Sequence, residues 1–175
     1  PIQAGDLEHS DTHKVQSLVS NKQSQFHPNS YALQTPASPH LAAAKDGITI
    51  DLNQIQEPET TNHLVVEGAG GILVPLNDTQ SVVDLIQSDY KVIVVSRHYL
   101  GSINHTLLTI EALQNRKIQV AGIIFSGDEN SSTESIILSR TAVPCLGRIA
   151  QEPYFDSNVI SEYADAFRDS LMKIQ

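Results

Sequence analysis

A chain of 175 residues, 40% of them apolar, is long enough for one domain with a sizeable core. Its formal charge of -9, from 11 Lys and Arg against 20 Asp and Glu, excludes nucleic acid as a general partner, because neutralising phosphates takes clustered basic residues. No apolar run approaches the roughly 18 residues that span a bilayer and no basic-then-apolar start marks a signal peptide, so no membrane partner is expected.

Pro1-Ile2-Gln3-Ala4-Gly5 reads as the end of a strand running into a loop, without an initiator Met, so a preceding segment is expected. Ser10-Asp11-Thr12-His13 precedes Val15, Leu18 and Val19 as a helix start. Gln23 to Pro39, rich in Ser, Pro, Asn and Gln, reads as a surface loop, and His40 follows it at a further helix start. Leu64-Val65-Val66 is a short apolar strand, and Asp78-Thr79-Gln80-Ser81 opens a helix carrying Val82, Val83, Leu85 and Ile86. Val92-Ile93-Val94-Val95 is a strand whose unbroken apolar character predicts burial on both faces. Gly101 or Ser102 opens a helix with Leu107, Leu108, Ile110 and Leu113 on one side. A strand over Val120 to Phe125, a helix from Ser132, a short strand at Pro144-Cys145-Leu146 and a terminal helix from Ser157 complete the chain. Strands alternating with amphipathic helices predict an α/β fold, a parallel sheet with helices on both faces. The single cysteine, Cys145, reads as a small core residue that cannot close an internal disulfide, which places the protein in a reducing compartment, the cytoplasm.

The stretch with the most chemical content is Val66-Glu67-Gly68-Ala69-Gly70-Gly71. Small residues let backbone N–H groups approach a ligand, and a carboxylate beside them tolerates an anion only with a cation between, so a phosphate with its magnesium fits this edge. The alternative is a tight turn with Glu67 as a solvated strand end. Asp11 supplies a second carboxylate for such a site, or else a helix cap. At Gly101-Ser102-Ile103-Asn104 the N–H groups of a first helical turn can receive a carboxylate or phosphate, or Ser102 simply caps the helix. His9 and His13 lie four apart, yet no Cys or carboxylate completes a zinc set with them in sequence.

Several stretches together resemble the dethiobiotin synthetases. They are Pro1 to Gly5, Ser10-Asp11, Pro36-Ala37-Ser38-Pro39-His40, Val66 to Gly71 with Val74-Pro75-Leu76, and Leu100-Gly101-Ser102-Ile103-Asn104-His105-Thr106-Leu107-Leu108-Thr109, in the family's order over most of Pro1 to Arg148. The resemblance implies one P-loop NTPase-like domain over residues 1–175, working as a homodimer. It implies that diaminopelargonate, CO2 and MgATP become dethiobiotin, ADP and phosphate. One substrate amine is carbamated, ATP phosphorylates the carbamate oxygen, and the second amine closes the ureido ring with loss of phosphate. By the same resemblance, Asp11 and Glu67 are the magnesium carboxylates, and Gly68, Ala69 and Gly70 lie along the phosphates. Ala4 contacts substrate, and Gly101, Ser102, Ile103 and Asn104 receive the substrate carboxylate from the neighbouring subunit.

The chain also departs from that family. The P-loop ending in Gly-Lys-Thr and the Lys expected directly before Pro1 are absent from this sequence, so a missing N-terminal βα unit is expected, of roughly 30 or more residues. Without that Lys and hydroxyl the chain alone is expected to be inactive. Where the family often has an adenine-reading Asn, this chain has Ser126 and then Gly127, so base contacts fall to backbone there and to the loop Ala150-Gln151-Glu152. Ala4 replaces a hydroxyl found in some relatives. A noncatalytic regulatory or nucleotide-sensing domain of the same fold is the alternative reading.

Overall fold

The computed structural model describes residues 1–174 and divides the chain into two compact units, Pro1–Gln87 and Ser88–Gln175.

In the first unit, β1 (Ile2–Ala4) pairs in parallel with β2 (Tyr31–Leu33), with Ile2 opposite Tyr31 and Ala4 opposite Leu33. Between them runs α1 (Asp11–Leu18), and after them α2 (Pro39–Lys45), whose Pro39 sits where a missing N–H costs nothing. Ile2, Leu33, Ala42, Ala43, Ile50, Leu76 and Val82 form the core. The small Ala42 and Ala43 let α2 lie close against the two-stranded sheet. Asn77 anchors the loop that follows: its Oδ1 accepts from the Thr79 and Gln80 N–H groups at 3.0 and 2.9 Å, and its Nδ2 donates to the Ile50 carbonyl at 2.9 Å.

Three expectations fail in this unit. The segment 23–39 is not all loop, because β2 lies inside it with Leu33 fully buried; three residues among turn formers give almost no periodic signal. Leu64-Val65-Val66 is not a strand. A strand exists only as part of a hydrogen-bonded ladder, no strand among the described residues pairs with this segment, and Val65 is 91% exposed. The helix expected from Asp78 is a single 3-10 turn, Val82–Leu85. It stops there because Ile86 is already extended, at φ -79° and ψ 116°, while the Val82 and Val83 N–H groups hold the turn on the Val74 and Ile72 carbonyls at 3.0 and 2.8 Å.

The second unit is a parallel sheet in the order β3 (Val92–Arg97), β4 (Val120–Ser126), β5 (Cys145–Ile149), joined through α3 (Ser102–Asn115) and α4 (Ser131–Thr141) and followed by α5 (Ser157–Met172). Helix α3 buries Ser102, Thr106, Ile110 and Leu113, one stripe at helical spacing, and packs on β3 and β4. Within that contact the buried Ser96 and Thr106 hydroxyls bond each other at 2.7 Å. Ile123, Phe125, Ile137 and Leu146 fill the sheet's core, and Phe167 of α5 packs on β5 at Gly147, where a Cβ would lie 2.2 Å from its ring.

Two expectations are corrected here. Strand β3 is buried on one face only: Val94 and Ser96 face the core, whereas Val95 is 66% exposed. Alternation along the strand, not total apolarity, decides which side chains are covered. Cys145 is exposed rather than a core residue, because it opens the outermost strand of this sheet and the adjacent Leu146 takes the inward position. Among the described residues no helix is long and apolar enough to cross a membrane.

Candidate functional site

The first unit holds one set of expected site residues. Asp11 is the first residue of α1, exposed, with its carboxylate 3.4 Å from Lys14 Nζ. It is not the cap: Ser10 is, its Oγ accepting from the His13 N–H at 3.4 Å. An exposed ion pair one turn along a helix contributes little, and a first-turn carboxylate adds only a modest favourable interaction with the helix dipole, so the Asp11 oxygens stay open to solvent.

Glu67 is exposed at the start of a looped segment of bends and turns, so the backbone there does take the form of a turn. The loop is nonetheless closely fitted. A Cβ at Gly68 would stand 2.6 Å from Val82 Cγ1, so only glycine permits this approach to the core. Ala69 is half-buried, Gly70 adopts a φ of 78°, and Val74 N–H closes on the Gly71 carbonyl at 3.0 Å. Ala4 ends β1, half-buried. No group of three or more His, Cys, Asp or Glu side chains among the described residues could hold a metal ion. Two carboxylates are still a sufficient protein share for magnesium, which keeps waters and binds through one or two carboxylates plus substrate phosphates; Asp11 and Glu67 supply hard oxygen donors of that kind.

The second unit holds a cleft of about 930 Å³, lined by His98 to Asn104, Leu107, Gly127 to Asn130, Thr133 and Gln151; of the remaining expected residues, Ser126, Ala150 and Glu152 are not part of its lining. Gly101, at a φ of 103°, is the residue preceding α3, and no side chain caps this helix start; Ser102 is buried rather than capping. The cleft thus brings the expected carboxylate-receiving turn Gly101–Asn104 together with Gly127 and Gln151 of the expected base loops. Ser126 ends β4, its carbonyl accepting from His98 N–H at 2.8 Å, and Gly127 N–H donates to the Ile149 carbonyl at 2.8 Å. Ala150 and Glu152 are tied to α5 through Tyr163, whose hydroxyl accepts from Ala150 N–H at 2.9 Å and donates to Glu152 Oε1 at 2.6 Å.

Beside the cleft is a polar network that the sequence pattern did not reveal. Arg148 of β5 grips the buried Glu134 of α4 with two parallel bonds, Nε to Oε1 at 2.7 Å and NH2 to Oε2 at 2.9 Å. The guanidinium holds the Glu134 carboxyl below the usual glutamate range against the opposing effect of burial. Glu129 adds a longer contact to Arg148 at 3.5 Å. His98 Nδ1 donates to the Asp128 carbonyl at 2.7 Å, since a carbonyl only accepts, while its Nε2 has no hydrogen-bond partner and lies 3.5 Å from Glu134 Oε1. The partners sit far apart along the chain, and an amphipathic pattern marks faces, not pairs. The one available signal was a charged residue, Arg148, inside an otherwise apolar strand.

Residues 1–158 match a protein-family model described as an AAA domain. The chain is 58% identical over 174 residues to an ATP-dependent dethiobiotin synthetase of Christiangramia forsetii, covering 99% of this chain and 84% of that protein. It is 48% identical over 166 residues to the enzyme of that name from Cytophaga hutchinsonii, 94% and 80% covered, and 43% identical over 169 residues to one from Rhodopseudomonas palustris, 96% and 76% covered.

Proposed function

Because the chain belongs to the ATP-dependent dethiobiotin synthetase family, we propose that it closes the ureido ring of dethiobiotin from diaminopelargonate, CO2 and ATP. The first amine adds to CO2 with loss of a proton, forming a carbamate. A carbamate oxygen attacks the γ-phosphorus of ATP and ADP leaves. The second amine then attacks the carbonyl carbon, and phosphate departs as the ring closes.

In this reading Asp11 and Glu67 hold magnesium on the nucleotide phosphates. Bound magnesium neutralises charge on those phosphates. The Gly68-Ala69-Gly70 backbone offers close N–H donors to the phosphates and to the reacting carbamate, and Ala4 lies against substrate. The Gly101–Asn104 turn at the start of α3 receives the substrate carboxylate, contributed across a homodimer to the neighbouring subunit; dipole and N–H donors both favour an anion there. Ser126 and Gly127, with Ala150, Gln151 and Glu152, receive the base. A reducing cytoplasm, where ATP is abundant, suits the lone unpaired thiol of Cys145.

What supports the metal assignment is that both carboxylates are exposed: Ser10, not Asp11, caps α1, and Glu67 stands beside a glycine loop packed on Val82. The test is a magnesium titration of dethiobiotin formation by the complete protein. Asp11→Asn and Glu67→Gln are expected to raise the magnesium concentration for half-maximal rate by tenfold or more, order of magnitude, from loss of a charged ligand. An unchanged magnesium dependence in both variants removes the assignment. The noncatalytic reading draws no support from relatives that all carry the synthetase name.

A further inference from the structure

The two loops assigned above to the nucleotide base are each held by one side chain rooted elsewhere. The turn after β4 is held by His98: its backbone N–H donates to the Ser126 carbonyl at 2.8 Å and its ring Nδ1 to the Asp128 carbonyl at 2.7 Å. The ring is itself fixed, 10% exposed, 5.6 Å from the Phe125 ring and backed by the Glu134–Arg148 pair. Gly127 between those two carbonyls has a φ of 113°, a left-handed conformation that favours glycine, and a Cβ there would meet His98 Cβ at ordinary contact distance, 3.4 Å, so the turn lies against the histidine. The loop after β5 is held by Tyr163, whose hydroxyl accepts from Ala150 N–H and donates to Glu152 Oε1. Between these clamps, Gly127 N–H bonds the Ile149 carbonyl at 2.8 Å, tying one loop to the end of the other strand.

Ser126 cannot read a base edge at two points as an amide can. Discrimination then falls to backbone N–H and C=O groups, and a backbone discriminates only if its geometry is fixed before the ligand arrives. We propose that His98 and Tyr163 are positioning residues that set base specificity, His98 by fixing the 126–128 turn and Tyr163 by fixing the 150–152 loop, so that rigid backbone replaces a side-chain amide. This rests on the assignment of those loops to the base.

The experiment compares steady-state kinetics of the complete enzyme with ATP and with GTP, alongside thermal unfolding. Tyr163→Phe deletes one hydroxyl and keeps the ring against Phe167; His98→Leu removes the donor to Asp128, and His98→Asn restores one at the Nδ1 position. The expected result is a KM for ATP raised about five- to tenfold in Tyr163→Phe and His98→Leu, as suits one or two lost hydrogen bonds, with a reduced preference for ATP over GTP. The maximal rate and the KM for diaminopelargonate stay within about twofold, and His98→Asn recovers much of the loss. A lowered unfolding temperature with unchanged KM and unchanged ATP preference overturns the proposal, leaving the two side chains merely structural. Gln151→Ala and Gly127→Val separate the two claims. If these raise the KM for ATP while Tyr163→Phe and His98→Leu do not, the clamp alone is wrong; if none of the four changes it, the base-loop assignment falls and the clamp with it.

Discussion

The Arg148–Glu134 pair is bidentate and charge-assisted, joining the buried Glu134 carboxylate to a partly exposed guanidinium. Removing one partner strands the carboxylate of the other, so Arg148→Met is expected to lower stability at neutral pH, read as a lower denaturant midpoint. The pair also gives stability a defined pH dependence. Arg148 favours ionised Glu134, so the folded carboxyl binds its proton less tightly than the unfolded one. The unfolded chain therefore takes up more protons on acidification. The contribution is complete above roughly pH 4 to 5, the ordinary glutamate range, and fades as the pH falls through the lower folded value. In Arg148→Met the remaining influence of burial runs the other way, and the acid-side loss should shrink. The pairing was not legible in the sequence: Arg148 stands out as a charge in an apolar strand, but Glu134 reads as one more polar residue in a helix's first turn. Glu67 and Asp11, by contrast, stand out in the sequence as candidates, because a carboxylate beside glycines, and one at a helix start, are local patterns.

At the scale of elements, one contact in each unit shows how its candidate residues are held. The Glu67 loop rests on Val82 through Gly68. Gly68→Ala is expected to displace the loop and reduce turnover tenfold or more, since misplacing a binding group by an ångström costs on the order of a hundredfold. Adding Val82→Ala opens the space and should return much of the activity; a double variant no better than Gly68→Ala would contradict the contact. The second contact joins β3 to α3 through Ser96 and Thr106. Thr106→Val leaves a buried hydroxyl unpaired at a cost of about 1 to 3 kcal/mol, whereas Ser96→Ala with Thr106→Val removes both partners and should cost less than the single change, measured by thermal unfolding. These elements also show what a pattern can and cannot carry. Strands β3 and β4 and helices α3 to α5 declared themselves through runs of apolar residues and helical spacing. Strand β2 did not, because Tyr31 and Leu33 are its whole signal, and Leu64-Val65-Val66 promised a strand that finds no partner to pair with among the described residues. Propensity proposes a strand; pairing makes it one.

For the molecule as a whole, the α/β class followed from alternation of strands and helices, and the family from motifs whose combined order is more specific than any one of them. Which loops meet is a matter of topology. The parallel order β3-β4-β5 brings the C-terminal ends of β3 and β4 to one edge, and there the cleft collects Gly101 to Asn104 with Gly127 and Gln151. Ligands of open parallel sheets bind at that edge. A nucleotide that binds the folded state stabilises it by mass action, by about 2.7 kcal/mol at a hundredfold excess over its dissociation constant. The complete protein should therefore unfold at a higher temperature with MgATP than with either component alone.

The most direct measurement supplies the complete protein with diaminopelargonate, ATP, magnesium and carbon-13 bicarbonate, and follows product by mass spectrometry and ADP by an independent assay. The expected result is dethiobiotin carrying one carbon-13 in its ureido carbonyl, formed one for one with ADP. Nucleotide binding or hydrolysis without labelled dethiobiotin, under saturating substrates, would contradict the assignment.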